Sequence, residues 1–170
     1  MTAPAADAAC AASAVVIVAS TSAAAGDAED RTGPAIRDWL VERGFSVAAP
    51  EVVPDGAPVG DAVRAAVRAG AAVVITTGGT GVSPDDATPE QVSPILDVQL
   101  PGLIEELRRR GAAHVPTASL TRGVAGFAGG TFIITLPGSP GGVRDGLAVL
   151  DPLLTHLLGQ RAGRAPHGPR

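Results

Sequence analysis

Four short apolar runs, each followed by a helix-like segment, constrain this chain more than any other feature. They are Ala14–Ala19 (AVVIVA), Val47–Val53, Ala71–Thr76 (AAVVIT) and Thr131–Leu136 (TFIITL). All are too short for helices and rich in valine, isoleucine and threonine. A continuous β-branched run marks a strand buried on both faces, which is the habit of parallel sheets covered by helices. Pro50, inside the second run, places that strand at a sheet edge, where a missing N–H does least harm. Helical spacing is predicted over Asp30–Arg43, with Thr32 as N-cap, Pro34 in the first turn and Gly44 as terminator. Further helices are predicted over Asp61–Ala69 (Val63, Ala66 and Val67 inward), from Thr88, over Pro101–Arg110, and from about Gly142 to Leu158, interrupted at Pro152. The alternation defines an α/β fold: three layers, with a mostly parallel β-sheet and helices on both faces.

Length and composition narrow the function. A chain of 170 residues suits one domain. Residues 1–13 read as a flexible leader, 14–158 as a single α/β domain, and 159–170 as a flexible basic tail. Net charge is −4 and aromatics are 2%, which disfavours a phosphate-backbone or base-stacking surface, so no nucleic-acid partner is expected. All thirteen basic residues are arginine. The absence of lysine excludes the P-loop, Schiff-base chemistry and a kinase-type lysine. Cys10 stands alone, so neither an intrachain disulfide nor a Cys-rich zinc site is available. The first arginine is Arg31 and the apolar run at Ala14–Ala19 is short. A cytoplasmic protein without membrane partners is the expectation.

In a parallel sheet every strand ends on one edge, and ligands bind there. The segments after the four runs are Ser20–Gly26, Pro54-Asp55-Gly56, Thr76–Asp86 (TTGGTGVSPDD) and Leu136–Gly142 (LPGSPGG). Glycines let backbone N–H groups approach phosphate oxygens, and hydroxyls add donors without bulk. Aspartates would repel phosphate, so Asp55 and Asp86 imply a divalent cation between protein and ligand, with Mg²⁺ the natural choice. Taken singly, each feature has a plainer reading: Asp55-Gly56 as a turn, and Asp85 and Asp86 as lead-in to the Thr88 helix. Their predicted convergence favours a phosphorylated ligand. His114, His156 and His167 are scattered and form no ligand pair.

The stretch TTGGTGVSPDDATPE (Thr76–Glu90) resembles the molybdenum-cofactor biosynthesis family, which includes molybdopterin adenylyltransferases and the N-terminal domain of gephyrin. Other landmarks follow in order: Glu29–Gly33, Val53–Asp55, Leu100–Gly102, Leu120–Arg122 and Leu136–Pro140. The resemblance spans roughly 14–158. It implies Mg²⁺-dependent transfer of AMP from ATP to the terminal phosphate of molybdopterin, releasing pyrophosphate. By the same resemblance Asp55 and Asp86 would be the catalytic and metal-binding residues. Ser20, Thr77, Gly78, Gly79, Thr80, Gly81, Thr121, Pro137, Gly138, Ser139 and Pro140 would bind substrate or nucleotide. A homotrimer is implied too, with a hexamer as the variant. Two positions depart from the family pattern: Thr21 stands where aspartate is frequent, and Ser139 where asparagine is commoner. A non-catalytic molybdopterin-binding paralogue and a nucleotide pyrophosphatase are the alternatives that these motifs leave open.

Overall fold

The computed structural model describes residues 11–164. Cys10, His167 and the outer parts of the expected leader and tail lie outside the described residues. At the centre of the sheet β1 (Ser13–Ala19), β4 (Val73–Thr77) and β7 (Thr131–Leu136) run parallel. Val16 stands opposite Ile75, and Ile75 opposite Ile134. The expected second strand is two short pieces, β2 (Ser46–Val47) and β3 (Glu51–Val53), both parallel to β1. Pro50 falls in the gap between them, at the sheet edge. On the opposite side lie β5 (Val98–Gln99) and β6 (Ala125–Ala128). β6 is antiparallel to β7, and β5 is antiparallel to β6. The sequence pattern did not reveal these two strands.

Seven α-helices accompany the sheet among the described residues: α1 (Thr21–Ala24), α2 (Gly33–Glu42), α3 (Ala57–Arg68), α4 (Thr88–Val92), α5 (Pro101–Ala112), α6 (Pro140–Leu150) and α7 (Leu154–Arg161). The cap of α2 is not the expected one. Thr32 makes no side-chain cap bond; Asp30 Oδ1 accepts from the N–H groups of Thr32 at 3.0 Å and Gly33 at 2.9 Å. A carboxylate reaching forward two and three residues satisfies two orphan donors at once. Gly44, with φ +85°, terminates the helix as expected. α3 begins four residues earlier than predicted, because Pro58 suits a first turn and the Gly56 backbone turns sharply into it. Val59, Val63 and Ala66 are buried along it, while Val67 is half-buried.

Pro152 separates α6 from α7, as its missing N–H requires. The helix that follows runs to Arg161, so the first residues of the expected 159–170 tail are structured. Arg161 anchors them: it donates to Gly129 O and to Asp97, each at 2.8 Å, and its guanidinium lies 5.2 Å from the Phe127 ring centre.

Alternate residues of the central strands face opposite layers. Val16, Ile75 and Ile134 pack with Ile36, Leu40, Leu103, Leu107, Val143 and Leu147 from α2, α5 and α6. Ile17, Val74 and Ile133 pack with Val59, Val63 and Val92 from α3 and α4. The three-layer α/β arrangement is therefore as the sequence predicts. Phe132 is fully buried and meets Phe127 edge-on at 5.5 Å between ring centres. Replacing Phe132 with alanine is expected to lower unfolding free energy by about 3–5 kcal/mol, measured as a shift of the urea midpoint at unchanged m.

Candidate functional site

All four expected loops leave the sheet on the same edge, because β1, β3, β4 and β7 are mutually parallel. The antiparallel β6 adds a fifth. Its entry segment, Thr121–Val124, arrives at that rim, which is why Thr121 joins residues forty positions away. Where β4 ends, Gly78 and Gly79 take φ +93° and +64°, a region that L side chains avoid. A side chain on Gly78 would collide with the carbonyl oxygen of Ala19. On Gly138 it would stand 3.2 Å from Gly78 Cα. The ends of β1, β4 and β7 are thus in backbone contact.

The hydroxyls of the rim are largely spent on building it. Ser20 Oγ caps α1 by accepting from Ala23 N at 3.2 Å, and Ser139 Oγ caps α6 by accepting from Gly142 N at 3.1 Å. Thr77 Oγ1 donates to Pro137 O at 2.8 Å, and Thr121 Oγ1 donates to Thr80 Oγ1 at 3.0 Å. The N–H groups of Gly79, Thr80, Gly81 and Val82, and those of Gly138 and Ser139, find no acceptor among the described residues. Consecutive free N–H groups in a glycine turn make an anion-binding concavity.

The two acids flank that turn. Asp55 Oδ2 accepts from both the N–H and the Oγ1 hydroxyl of Thr21, each at 3.0 Å. Thr21, the departure from the family pattern, is therefore a support for Asp55. Asp86 Oδ2 accepts from Ser83 N at 3.0 Å. Each carboxylate leaves Oδ1 without a donor among the described residues. Arg122 organises the loop between them. Its N–H bonds Thr80 O at 2.8 Å, Nε donates to Gly81 O at 2.7 Å and Nη2 to Asp86 O at 2.7 Å. Its remaining nitrogen pairs with Glu90. The Arg122 hydrogen bond holds the Glu90 carboxyl below the usual carboxylate range.

Two clefts open on this rim. One, of about 710 Å³, carries Ser20, Thr21, Asp55, Thr77 and Gly78, with Asp27, Glu29 and Asp30 as further acids. The other, of about 520 Å³, carries Thr80, Gly81, Thr121, Pro137 and Ser139 against the apolar side chains of Val82, Leu107, Val115 and Leu120. Gly79, Asp86 and Gly138 line both. Asp55 and Asp86 thus share one cleft, and every sequence-predicted site residue lines one cleft or both; Pro140 borders the polar one. Two arginines to which the sequence motifs assign no site role border the clefts. Arg31 lines the polar cleft and Arg144 the apolar one, and neither pairs with a carboxylate among the described residues. In a chain without lysine, the signal was available: any permanently charged side-chain cation at the rim had to be arginine.

Residues 15–156 match the family described as "Probable molybdopterin binding domain". The chain belongs to this molybdenum-cofactor biosynthesis family. A molybdopterin adenylyltransferase of Pyrococcus furiosus is 36% identical over 148 residues, covering 84% of this chain and 87% of that protein. The solved molybdopterin biosynthesis Mog protein from Mycobacterium ulcerans is 54% identical with a TM-score of 0.86, covering 90% of this chain and 98% of that one. A molybdenum cofactor biosynthesis bifunctional protein of Synechococcus elongatus is 40% identical over 156 residues, 91% of this chain. Here the chain spans about half of its relative's length, 49%. Among the described residues no helix is long and apolar enough to cross a membrane.

The clamp on the loop is testable. Because its native pKa is lowered, Glu90 favours the folded chain above its ordinary value of about 4.3, and that contribution vanishes as pH falls through the lowered one. Glu90→Gln is expected to flatten this part of the acid limb in urea titrations. Arg122→Gln is expected to speed hydrogen exchange at Ser83 and Asp86, the hydrogen-bonded amides of this loop, by about tenfold or more, with core amides unchanged.

Proposed function

We propose that this chain transfers the adenylyl group of ATP to the terminal phosphate of molybdopterin. The observation that carries this reading is the pair of clefts meeting at Gly79, Asp86 and Gly138. Two substrates on opposite sides of a shared ridge bring their phosphates together there. The polar cleft, with Ser20, Thr77 and Gly78, takes the nucleotide. The apolar cleft, with Thr80, Gly81, Thr121, Pro137 and Ser139, takes the pterin. In the transfer, an oxygen of the pterin phosphate forms a bond to the α-phosphorus of ATP. The bond from that phosphorus to the bridging oxygen breaks, and its electron pair leaves with pyrophosphate. No covalent enzyme intermediate is needed, so catalysis is positioning and charge stabilisation.

The donor set suits Mg²⁺. Asp55 and Asp86 each keep one oxygen free, and among the described residues no group of three or more His, Cys, Asp or Glu side chains is placed to hold a metal. Magnesium commonly takes one or two carboxylates and completes its shell with phosphates and water. Bound by Asp55 and Asp86, it would neutralise phosphate charge as the leaving group departs. The chain's own groups do the rest. The free N–H groups of Gly79 to Val82 hold phosphate oxygens, Thr21 orients Asp55, and Arg122 keeps the loop in shape. Arg31 meets the outer phosphates of ATP, and Arg144 meets the phosphate of molybdopterin. A cytoplasmic homotrimer completes the reading on family resemblance, and sedimentation of the purified chain tests that assembly.

Purified protein with molybdopterin, ATP and Mg²⁺ is expected to release pyrophosphate in step with adenylylated pterin. Pterin binding without any pyrophosphate would favour the non-catalytic alternative. Asp86→Asn is expected to cut turnover about 10²–10³-fold while leaving the unfolding midpoint in place. Arg31→Gln is expected to raise KM for ATP alone, and Arg144→Gln to raise KM for molybdopterin alone; the opposite pattern would exchange the two clefts.

A further inference from the structure

Thr88 opens α4 directly beneath the glycine turn, and its N–H bonds Gly79 O at 3.1 Å. The side chain is fully buried. Its Oγ1 is one of two buried side-chain oxygens without a hydrogen-bond partner among the described residues. A buried hydroxyl left unpaired is destabilising, and such groups persist where something else engages them. The surroundings of Thr88 show what that is. A methyl group on Gly79 would collide with Thr88 Oγ1 and stand 2.9 Å from Asp55 Oδ1. Both oxygens therefore crowd the position that a Cβ on Gly79 would take. Oδ1 is the oxygen of Asp55 that Thr21 leaves alone. A buried O–H without an acceptor and a carboxylate oxygen without a donor face the same gap.

We propose that Thr88 is a positioning residue for Asp55. Its hydroxyl donates to Oδ1 when the carboxylate settles on the cation, while Thr21 holds Oδ2. Each carboxylate oxygen offers two lone-pair sites, so a donor on Oδ1 leaves one for the metal. With both oxygens tethered, the carboxylate cannot swing away from the glycine turn. Gly79 then has two duties. It supplies the left-handed backbone of the turn, and it leaves the space in which Thr88 reaches Asp55.

The inference rests on Asp55 as a cation ligand, so the test separates the two claims. Mn²⁺ alone is titrated by electron paramagnetic resonance into the wild-type chain, Asp55→Asn, Thr88→Val and Thr88→Ser. Valine keeps the shape of threonine without the hydroxyl; serine keeps the hydroxyl. Thr88→Val is expected to weaken Mn²⁺ binding about tenfold, the loss typical of a removed supporting hydrogen bond, and Thr88→Ser to restore it to within about twofold. A packing role would instead make serine, which loses the methyl, the worse variant. Wild-type affinity in Thr88→Val, or equal losses in valine and serine, would overturn the role of the hydroxyl while leaving Asp55 in place if Asp55→Asn loses the ion. Unchanged affinity in Asp55→Asn would overturn both claims.

Discussion

Gly78 is the point on which the site depends. It follows β4, the middle one of the three central parallel strands, at the place where the carbonyl of Ala19 from β1 fills the space a side chain would need. From the other side, Gly138 after β7 approaches Gly78 Cα so closely that its own Cβ would come within 3.2 Å. Three strand ends thus close on one another through backbone alone. The loops that follow have nowhere to go but outward along the same rim. Any side chain at 78 would separate β1 from β4 and move Asp55, held through Thr21, away from the turn that Asp86 flanks.

A division of labour follows from that closeness. The hydroxyls of Thr77 and Thr121 hold neighbouring loops together, and those of Ser20 and Ser139 cap the helices that follow them. The N–H groups of the glycine turn have no internal partner among the described residues and are the donors left for a ligand. The carboxylates carry the opposite charge, so the rim presents free N–H groups and acids side by side. A cation-bridged phosphate matches both at once, whereas a bare phosphate or a bare cation matches only one. Arg122, by spending its donors on Thr80, Gly81, Asp86 and Glu90, stabilises the loop without adding free positive charge.

The central layer was legible because buried parallel strands announce themselves through unbroken valine and isoleucine. The rim was legible because strand direction fixes where each loop emerges. The antiparallel side was not. Ala125–Ala128 is four small or single-aromatic positions, and Gly126 is there because the carbonyl of Val98 packs against it, a long-range constraint with no local period. Missing β6 meant that Thr121 and Arg122 reached the site only through family resemblance, although the strand itself delivers them. Asp30 was hidden for a similar reason. Thr32 has the local look of a cap, but a carboxylate two residues earlier wins because it reaches two N–H groups. Thr88 looked like an ordinary helix start; its unpaired hydroxyl is visible only once Gly79 and Asp55 are in place.

The central claim is that one ridge serves two substrates. A crystal structure of the chain with a non-hydrolysable ATP analogue and Mg²⁺ tests it most directly. The nucleotide is expected in the cleft of Ser20 and Thr77, the α-phosphate at Gly79 and Gly138, and the ion against Asp55 and Asp86. A nucleotide seated in the cleft of Thr121 and Leu107, or an ion away from both carboxylates, would contradict it.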